Sequence, residues 1–115
     1  MELDDGFNDA CALAWSVPRE WARASLGEKL RYLRGRRDMS QRHLADDSGV
    51  AQALISRLEA GGDALWSVWR RLFDALGYEP LLIPFPTSEE AEDFIREEIQ
   101  RRQERAEAGR LSRWG

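Results

Sequence analysis

Hydrogen-bonding side chains at helical spacing are the residues of this sequence best suited to chemistry with a partner. Gln52 and Ser56 stand four residues apart, so both lie on one side of a helix. Ala51 and Ala53 are small enough to let a partner approach that side closely, and Arg57 adds a positive charge. A glutamine amide can make two hydrogen bonds to an adenine edge, and a DNA major groove admits one α-helix. These residue types therefore favour contact with a DNA duplex.

Two short helices that would carry these residues are indicated by a capping residue, an apolar face and a turn glycine. Ser40 can cap the first helix, because the first backbone N–H groups of a helix lack partners within it. Gly49 ends that helix, since glycine tolerates the left-handed backbone of a sharp exit. Ile55 and the leucine three residues later turn the inner face of the second helix to the core. The pattern predicts helices over 40–48 and 51–60.

Further helices are predicted on either side of this pair. Leu26, Leu30 and Leu33 recur at helical spacing and predict a helix over 26–36. Downstream, the most hydrophobic helical pattern of the chain closes at Gly77 and must cover the core. It consists of Leu65, Val68, Trp69, Leu72, Phe73 and Leu76.

The segment between residues 26 and 77 resembles the helix-turn-helix family of the phage λ repressor and Cro type, the Xre family. The spaced matches are Leu26-Gly27-Glu28-Lys29-Leu30-Arg31-Tyr32-Leu33-Arg34, Met39-Ser40-Gln41, Ile55-Ser56-Arg57-Leu58-Glu59-Ala60-Gly61 and Leu72-Phe73-Asp74-Ala75-Leu76-Gly77. The resemblance implies an all-α fold, a compact bundle of about five helices with an N-terminal helical extension, a short extended segment and a C-terminal helix. The expected domains are an N-terminal extension (1–25), a DNA-binding domain (26–77) and a dimerisation or partner-binding element (78–115).

The resemblance also implies roles for individual side chains. In the family, the glutamines that match Gln41 and Gln52 bond to each other, to phosphate and to base edges. The base-reading side chains would be Gln52, Ala53 and Ser56, and Ala51 could touch a thymine methyl group. The side chains that fix the DNA backbone would be Ser40, Gln41, Arg42 and Arg57, with Arg36 and Arg37 as further phosphate contacts. Ala51 stands where the family usually has Ser or Thr, which removes a helix cap worth about 1 kcal/mol.

The charge distribution bears on whether DNA is the partner. The formal net charge of −4 argues against nucleic acid. However, residues 26–60 carry seven Lys or Arg against five acids, whereas residues 1–25 carry two against five. Charges are screened over about 8–10 Å in physiological salt, so the local excess matters more than the total. The basic charge therefore lies where the helix-turn-helix pattern lies.

Several other kinds of function are disfavoured. Cys11 is the single cysteine, so no disulfide can form within the chain, as suits a reducing cytoplasm. His43 is the single histidine and has no second metal-ligating partner nearby. The sequence shows no phosphate-binding loop, no catalytic triad, no signal peptide and no apolar run near the ~18–20 residues of a membrane span. We therefore expect a cytoplasmic protein that is not an enzyme, needs no cofactor and has no membrane partner.

The segment after Gly77 changes character because prolines at 80, 84 and 86 prevent a helix. Leu81 to Ile83 forms a short extended apolar piece, and one interpretation is antiparallel pairing with the same piece of a second copy. The expected dimerisation residues are Leu81, Leu82, Ile83 and Phe85. The other interpretation is that this piece wraps the core. A last helix is predicted from Thr87 or Ser88 to Ala108, with Gly109 as its end.

Three functions remain open on the sequence alone. The leading hypothesis is a sequence-specific DNA-binding transcriptional regulator, in particular a repressor. One recognition helix covers only a few base pairs, so this hypothesis implies a homodimer on half-sites about 34 Å apart. The second is an antitoxin that neutralises a toxin protein and represses its own operon, with the acidic tail (87–108) as the partner-binding element. The third is a helical bundle that contacts proteins and no DNA.

Overall fold

All regular structure is helical in the part of the chain that the computed structural model describes, residues 3–83 and 86–114, with side chains as far as Leu111. This confirms the expected all-α fold. The helices of these residues are α1 (Leu3–Ser16), α2 (Arg19–Arg23), α3 (Leu26–Arg36), α4 (Gln41–Ser48), α5 (Gln52–Glu59), α6 (Trp66–Ala75) and α7 (Glu89–Trp114). The chain forms two compact units. One unit spans Val17–Leu82, and the other is built from the segments on either side of it.

The unit spanning Val17–Leu82 is held together by a core from α3 to α6. Its fully buried aliphatic side chains are Leu30, Leu44, Ile55, Leu58, Leu72 and Leu76. Met39, Val50, Trp69 and Phe73 complete the buried cluster. Burial of one such side chain stabilises the folded state by about 1.5–3 kcal/mol relative to exposure. The apolar spacings in the sequence therefore predicted the correct inner faces of these helices.

The α3 helix begins at a capping box and packs unusually close to α5. The Ser25 Oγ accepts from the Glu28 backbone N–H at 3.1 Å, and Glu28 Oε2 accepts from the Ser25 N–H at 3.3 Å. These reciprocal bonds fix where the helix starts. Farther along, a Cβ atom on Gly27 would stand 2.0 Å from the carbonyl oxygen of Leu58 in α5. Only glycine permits this approach of the two helices.

The turn between α4 and α5 has the form that the sequence predicted. The Ser40 Oγ accepts from the His43 N–H at 3.0 Å and caps α4. Gly49 ends α4 with a φ of 73°, which is the left-handed conformation that glycine adopts without strain. Val50 is buried, and its N–H donates to the Ser48 Oγ at 3.2 Å. This turn fixes α5 against α4.

In the other unit, two boundaries differ from the predictions. The acidic, glycine-containing start of the sequence (1–8) predicts a loose segment, but residues 3–8 belong to α1. Asp4 and Asp5 lie in the first turn of α1, where the positive end of the helix dipole favours acidic side chains. The last helix, α7, continues past Gly109 to Trp114. A glycine inside a helix costs about 1 kcal/mol relative to alanine, which weakens a helix without ending it.

Ion pairs and one cation–π contact occur within this unit. Arg102 pairs with Asp4 of α1, and the guanidinium carbon of Arg96 lies 4.0 Å from the Trp15 ring centroid. Arg102 also pairs with Glu98 one turn away in α7, at 3.3 Å. A spacing of four residues places the two side chains of this second pair on the same side of α7.

Candidate nucleic-acid interface

The α5 helix presents the predicted base-reading residues to solvent. Gln52, Ala53, Ser56 and Arg57 are exposed, as is Ala51 at the N-cap position. Their side chains make no hydrogen bond or ion pair to other residues of the described chain. Ala51 gives no side-chain cap, and the first turn of α5 contains no acidic residue. The outward side of α5 is thus a surface of small side chains and of polar groups without partners in the described chain.

The start of α4 supplies the predicted backbone-contacting residues. Ser40 and Arg42 are exposed, and Gln41 is half-buried. The expected bond between the two glutamines does not form. Instead, the Gln41 Nε2 donates to Glu59 Oε1 at 3.4 Å, across from α4 to the end of α5. This bond orients the Gln41 amide and leaves Gln52 available.

Glu59 accepts the strongest polar contacts of the region, which sequence reasoning missed. Arg34 of α3 donates to it through two parallel bonds, Nε to Oε2 at 2.9 Å and Nη2 to Oε1 at 2.8 Å. The Arg34 Nη1 also donates to the carbonyl oxygen of Met39 at 2.7 Å. The side chains of Arg34 and Glu59 are only 17% and 5% exposed. Arg34 therefore joins α3, the loop before α4 and the end of α5.

The charge state of this pair follows from its geometry. The hydrogen bonds from Arg34 to Glu59 raise the pKa of the Arg34 guanidinium above its ordinary value, and burial opposes them only in part. Two parallel bonds between a guanidinium and a carboxylate are stronger and more directional than a single contact. Because Arg34 holds the last residue of α5, the outward side of this helix has a fixed direction.

Two of the arginines expected to contact phosphate, Arg36 and Arg37, make hydrogen bonds within the protein. The Arg37 Nη1 donates to the Leu76 carbonyl oxygen at 2.7 Å, which satisfies a backbone acceptor at the end of α6. The Arg36 Nη1 donates to the Tyr32 hydroxyl at 3.3 Å, and this bond raises the pKa of Arg36. Arg42 and Arg57 are exposed and make no ion pair with described residues. These two remain the available cations of the surface.

The expected dimerisation segment has no regular structure over Tyr78–Ile83. Leu81 and Leu82 are 72% and 89% exposed, and Ile83 is half-buried. Phe85, the fourth expected residue, lies outside the described residues. The pairing of this segment with a second copy stays a prediction.

Over residues 3–83 and 86–114, no group of three or more His, Cys, Asp or Glu side chains could hold a metal ion. No described helix is both long enough and apolar enough to span a membrane. His43 lies on the exposed side of α4, with its Nε2 3.4 Å from Asp47 Oδ2.

Comparison with known proteins places part of the chain in a family. A family model described as a helix-turn-helix domain matches residues 25–83, which include α3, α4, α5 and α6. No curated protein and no solved structure matches the chain. The matched region contains every residue of the candidate interface.

Proposed function

The chain belongs to the helix-turn-helix domain family, a DNA-binding fold, and on this premise we propose that it is a sequence-specific transcriptional repressor of the Xre type. The observation that carries the proposal is that α5 has an exposed side without partners among the described residues and a last residue that is held in place. Its exposed residues Gln52, Ala53 and Ser56 have no described partner, while its last residue, Glu59, is fixed by Arg34. The exposed side chains of this helix are small or polar and have no partner in the described chain, and the helix is fixed at its end. Such a helix is suited to insertion into a major groove.

The proposed mechanism divides the interface into two kinds of contact. The amide of Gln52 reads an adenine, the methyl groups of Ala51 and Ala53 approach thymine, and Ser56 bonds to a base edge. The backbone contacts come from Ser40, Gln41, Arg42 and Arg57, and they set the register of the protein on the duplex. The bond from Gln41 to Glu59 fixes the direction of the Gln41 amide at the start of α4, which supports a positioning role for this side chain.

A homodimer is part of the proposal. One α5 helix covers only a few base pairs, so useful specificity needs two copies on a palindrome with half-sites about 34 Å apart. Leu81, Leu82 and Ile83, with Phe85, are the sequence-derived candidates for the contact. The exposure of Leu81 and Leu82 supports their availability to a partner. A regulator of this kind would work in the cytoplasm, on double-stranded DNA.

Selection from a random duplex library by the purified full-length protein tests this function. The expected product is a palindromic consensus, and the affinity for it should fall steeply with salt. For Z neutralised phosphates, log K falls against log salt with a slope of about −0.9Z. If no sequence is enriched and no duplex binds even in low salt, the DNA-binding function is wrong. The remaining hypothesis is then the helical bundle that contacts proteins and no DNA.

The antitoxin function is a second candidate, favoured by the form of α7. From Gln103 to Leu111 the described side chains of this helix are all exposed, which offers a helix to a protein partner. The test is the neighbouring reading frame. Expression of that frame alone should arrest growth, and co-expression of this chain should restore it. Normal growth with the neighbouring frame alone would remove the antitoxin function.

A further inference from the structure

The side of α6 that faces away from the core has a surface that the DNA-binding proposal does not use. Trp69, Leu72 and Phe73 are buried, whereas the intervening residues of the helix point outward. After α6, Gly77 adopts a φ of 91° and the chain turns back beside the helix. A concavity of about 380 Å³ results. We call its lining the α6 outer face: Ser67, Arg70, Arg71, Asp74, Tyr78, Glu79 and Pro80.

The charges of the α6 outer face are balanced and unpaired. Arg70 and Arg71 contribute two positive charges, and Asp74 and Glu79 contribute two negative ones; all four are exposed. None of them forms an ion pair within the described chain. An interface with two-fold symmetry uses the same patch on both subunits, so the patch must be complementary to itself. Because the α6 outer face carries both signs, each copy can offer cations and anions to the other.

Exposed apolar side chains precede and follow the residues of the α6 outer face in the sequence. Tyr78 is 47% exposed, and Leu81 and Leu82, which follow it closely, are 72% and 89% exposed. At the other end, Leu65 and Trp66 begin the helix with 76% and 44% exposure. Clustered exposed apolar groups mark interaction surfaces, and aromatic residues are enriched at the centres of interfaces. The surface thus combines apolar area with matched charges.

We propose that the α6 outer face, together with Leu81 and Leu82, is the contact between two copies of this chain. The arginines of one copy face Asp74 and Glu79 of the partner copy across a two-fold axis. The inner side of α6 packs against α3 and α4, so the proposed contact uses the side of the helix that faces away from both. This inference rests on the proposed homodimer and identifies the surface that forms it.

A charge-swap experiment with the full-length chain tests the proposal in the absence of DNA. One variant carries Arg70→Glu and Arg71→Glu, and the other carries Asp74→Lys and Glu79→Lys. Each variant presents four like charges to its own copy, so its homodimer should be at least about tenfold weaker than the wild-type dimer. An equimolar mixture should form the heterodimer, detected by native mass spectrometry and analytical ultracentrifugation.

A control variant and the possible outcomes make the test decisive. Arg31→Glu with Arg36→Glu makes the same change of net charge on α3 as the arginine variant makes on α6, and it should leave the dimer unchanged. Circular dichroism shows whether each variant is helical, and recovery of the heterodimer shows that both variants can still dimerise. The proposal is wrong if the wild type is a monomer, or if either variant forms its homodimer as tightly as the wild type. It is also wrong if the mixture forms no heterodimer. Failure of the duplex selection with an intact heterodimer would instead remove the DNA-binding function and leave the dimer surface.

Discussion

At the scale of single residues, Glu59 has the most consequential position in the candidate interface. It accepts two bonds from Arg34 and one from Gln41, and its side chain is 5% exposed. Replacement by alanine leaves a largely buried guanidinium without its carboxylate. Because breaking a buried ion pair costs about 3–5 kcal/mol, we expect Glu59→Ala to lower the free energy of unfolding by about 3 kcal/mol. Urea denaturation followed by circular dichroism measures this loss.

Asp47→Ala is the matched control for that prediction. Asp47 pairs with His43 in the same unit, but the two side chains are 49% and 58% exposed. An exposed pair of this kind contributes about 0–1 kcal/mol, so the control should lose far less stability. Equal losses in the two variants would show that the Arg34–Glu59 pair does not anchor α5.

The sequence predicted the exposed residues of α5 better than the contacts that hold the helix. Gln52 and Ser56 are outward because their apolar neighbours at helical spacing must be inward, and this pattern is local. Arg34 and Glu59 are 25 residues apart, in helices whose packing must be known before their side chains can be paired. The same reason explains why the bond from Gln41 to Glu59 replaced the expected bond between the two glutamines.

At the scale of elements, the contact between α3 and α5 depends on Gly27. A Cβ at this position would meet the Leu58 carbonyl oxygen at 2.0 Å, and neither backbone can yield without moving its helix. We expect Gly27→Ala to destabilise the protein by about 1–3 kcal/mol, as overpacking generally does. Thermal or urea denaturation measures the change.

Gly35→Ala on the same helix provides the comparison. A Cβ at Gly35 would have no atom within 4 Å, and the residue is exposed. Alanine is favoured over glycine inside a helix by up to about 1 kcal/mol, so this variant should be at least as stable as the wild type. A neutral Gly27→Ala variant would contradict the close approach of α3 and α5.

The helix boundaries that sequence reasoning found correctly are those with a local chemical signal. Ser40 and Gly49 act through bonds or backbone angles within a few residues, so α4 was correctly placed. The α3 helix was predicted from the spacing of its leucines, and its Ser25 cap is seen only in the structure. The continuation of α7 through Gly109 was not predicted, because glycine is a boundary signal only where the chain actually turns.

At the scale of the whole molecule, the unit spanning Val17–Leu82 contains its own core. The largest fully buried side chains of the described residues are all in this unit except Cys11. We therefore expect the fragment Val17–Leu82 to remain helical and to unfold in one cooperative urea transition. A fragment without cooperative unfolding would show that this unit needs the flanking helices in order to fold.

The central claim is that α5 presents Gln52 to a base pair in a DNA duplex. Duplex-library selection with the Gln52→Ala variant tests it most directly, with Gln103→Ala in exposed α7 as the matched control. We expect Gln52→Ala to cost about 1–3 kcal/mol on the preferred site and to relax the preference at one position in each half-site. The control should select the wild-type consensus. An unchanged consensus for Gln52→Ala would contradict this account of the interface.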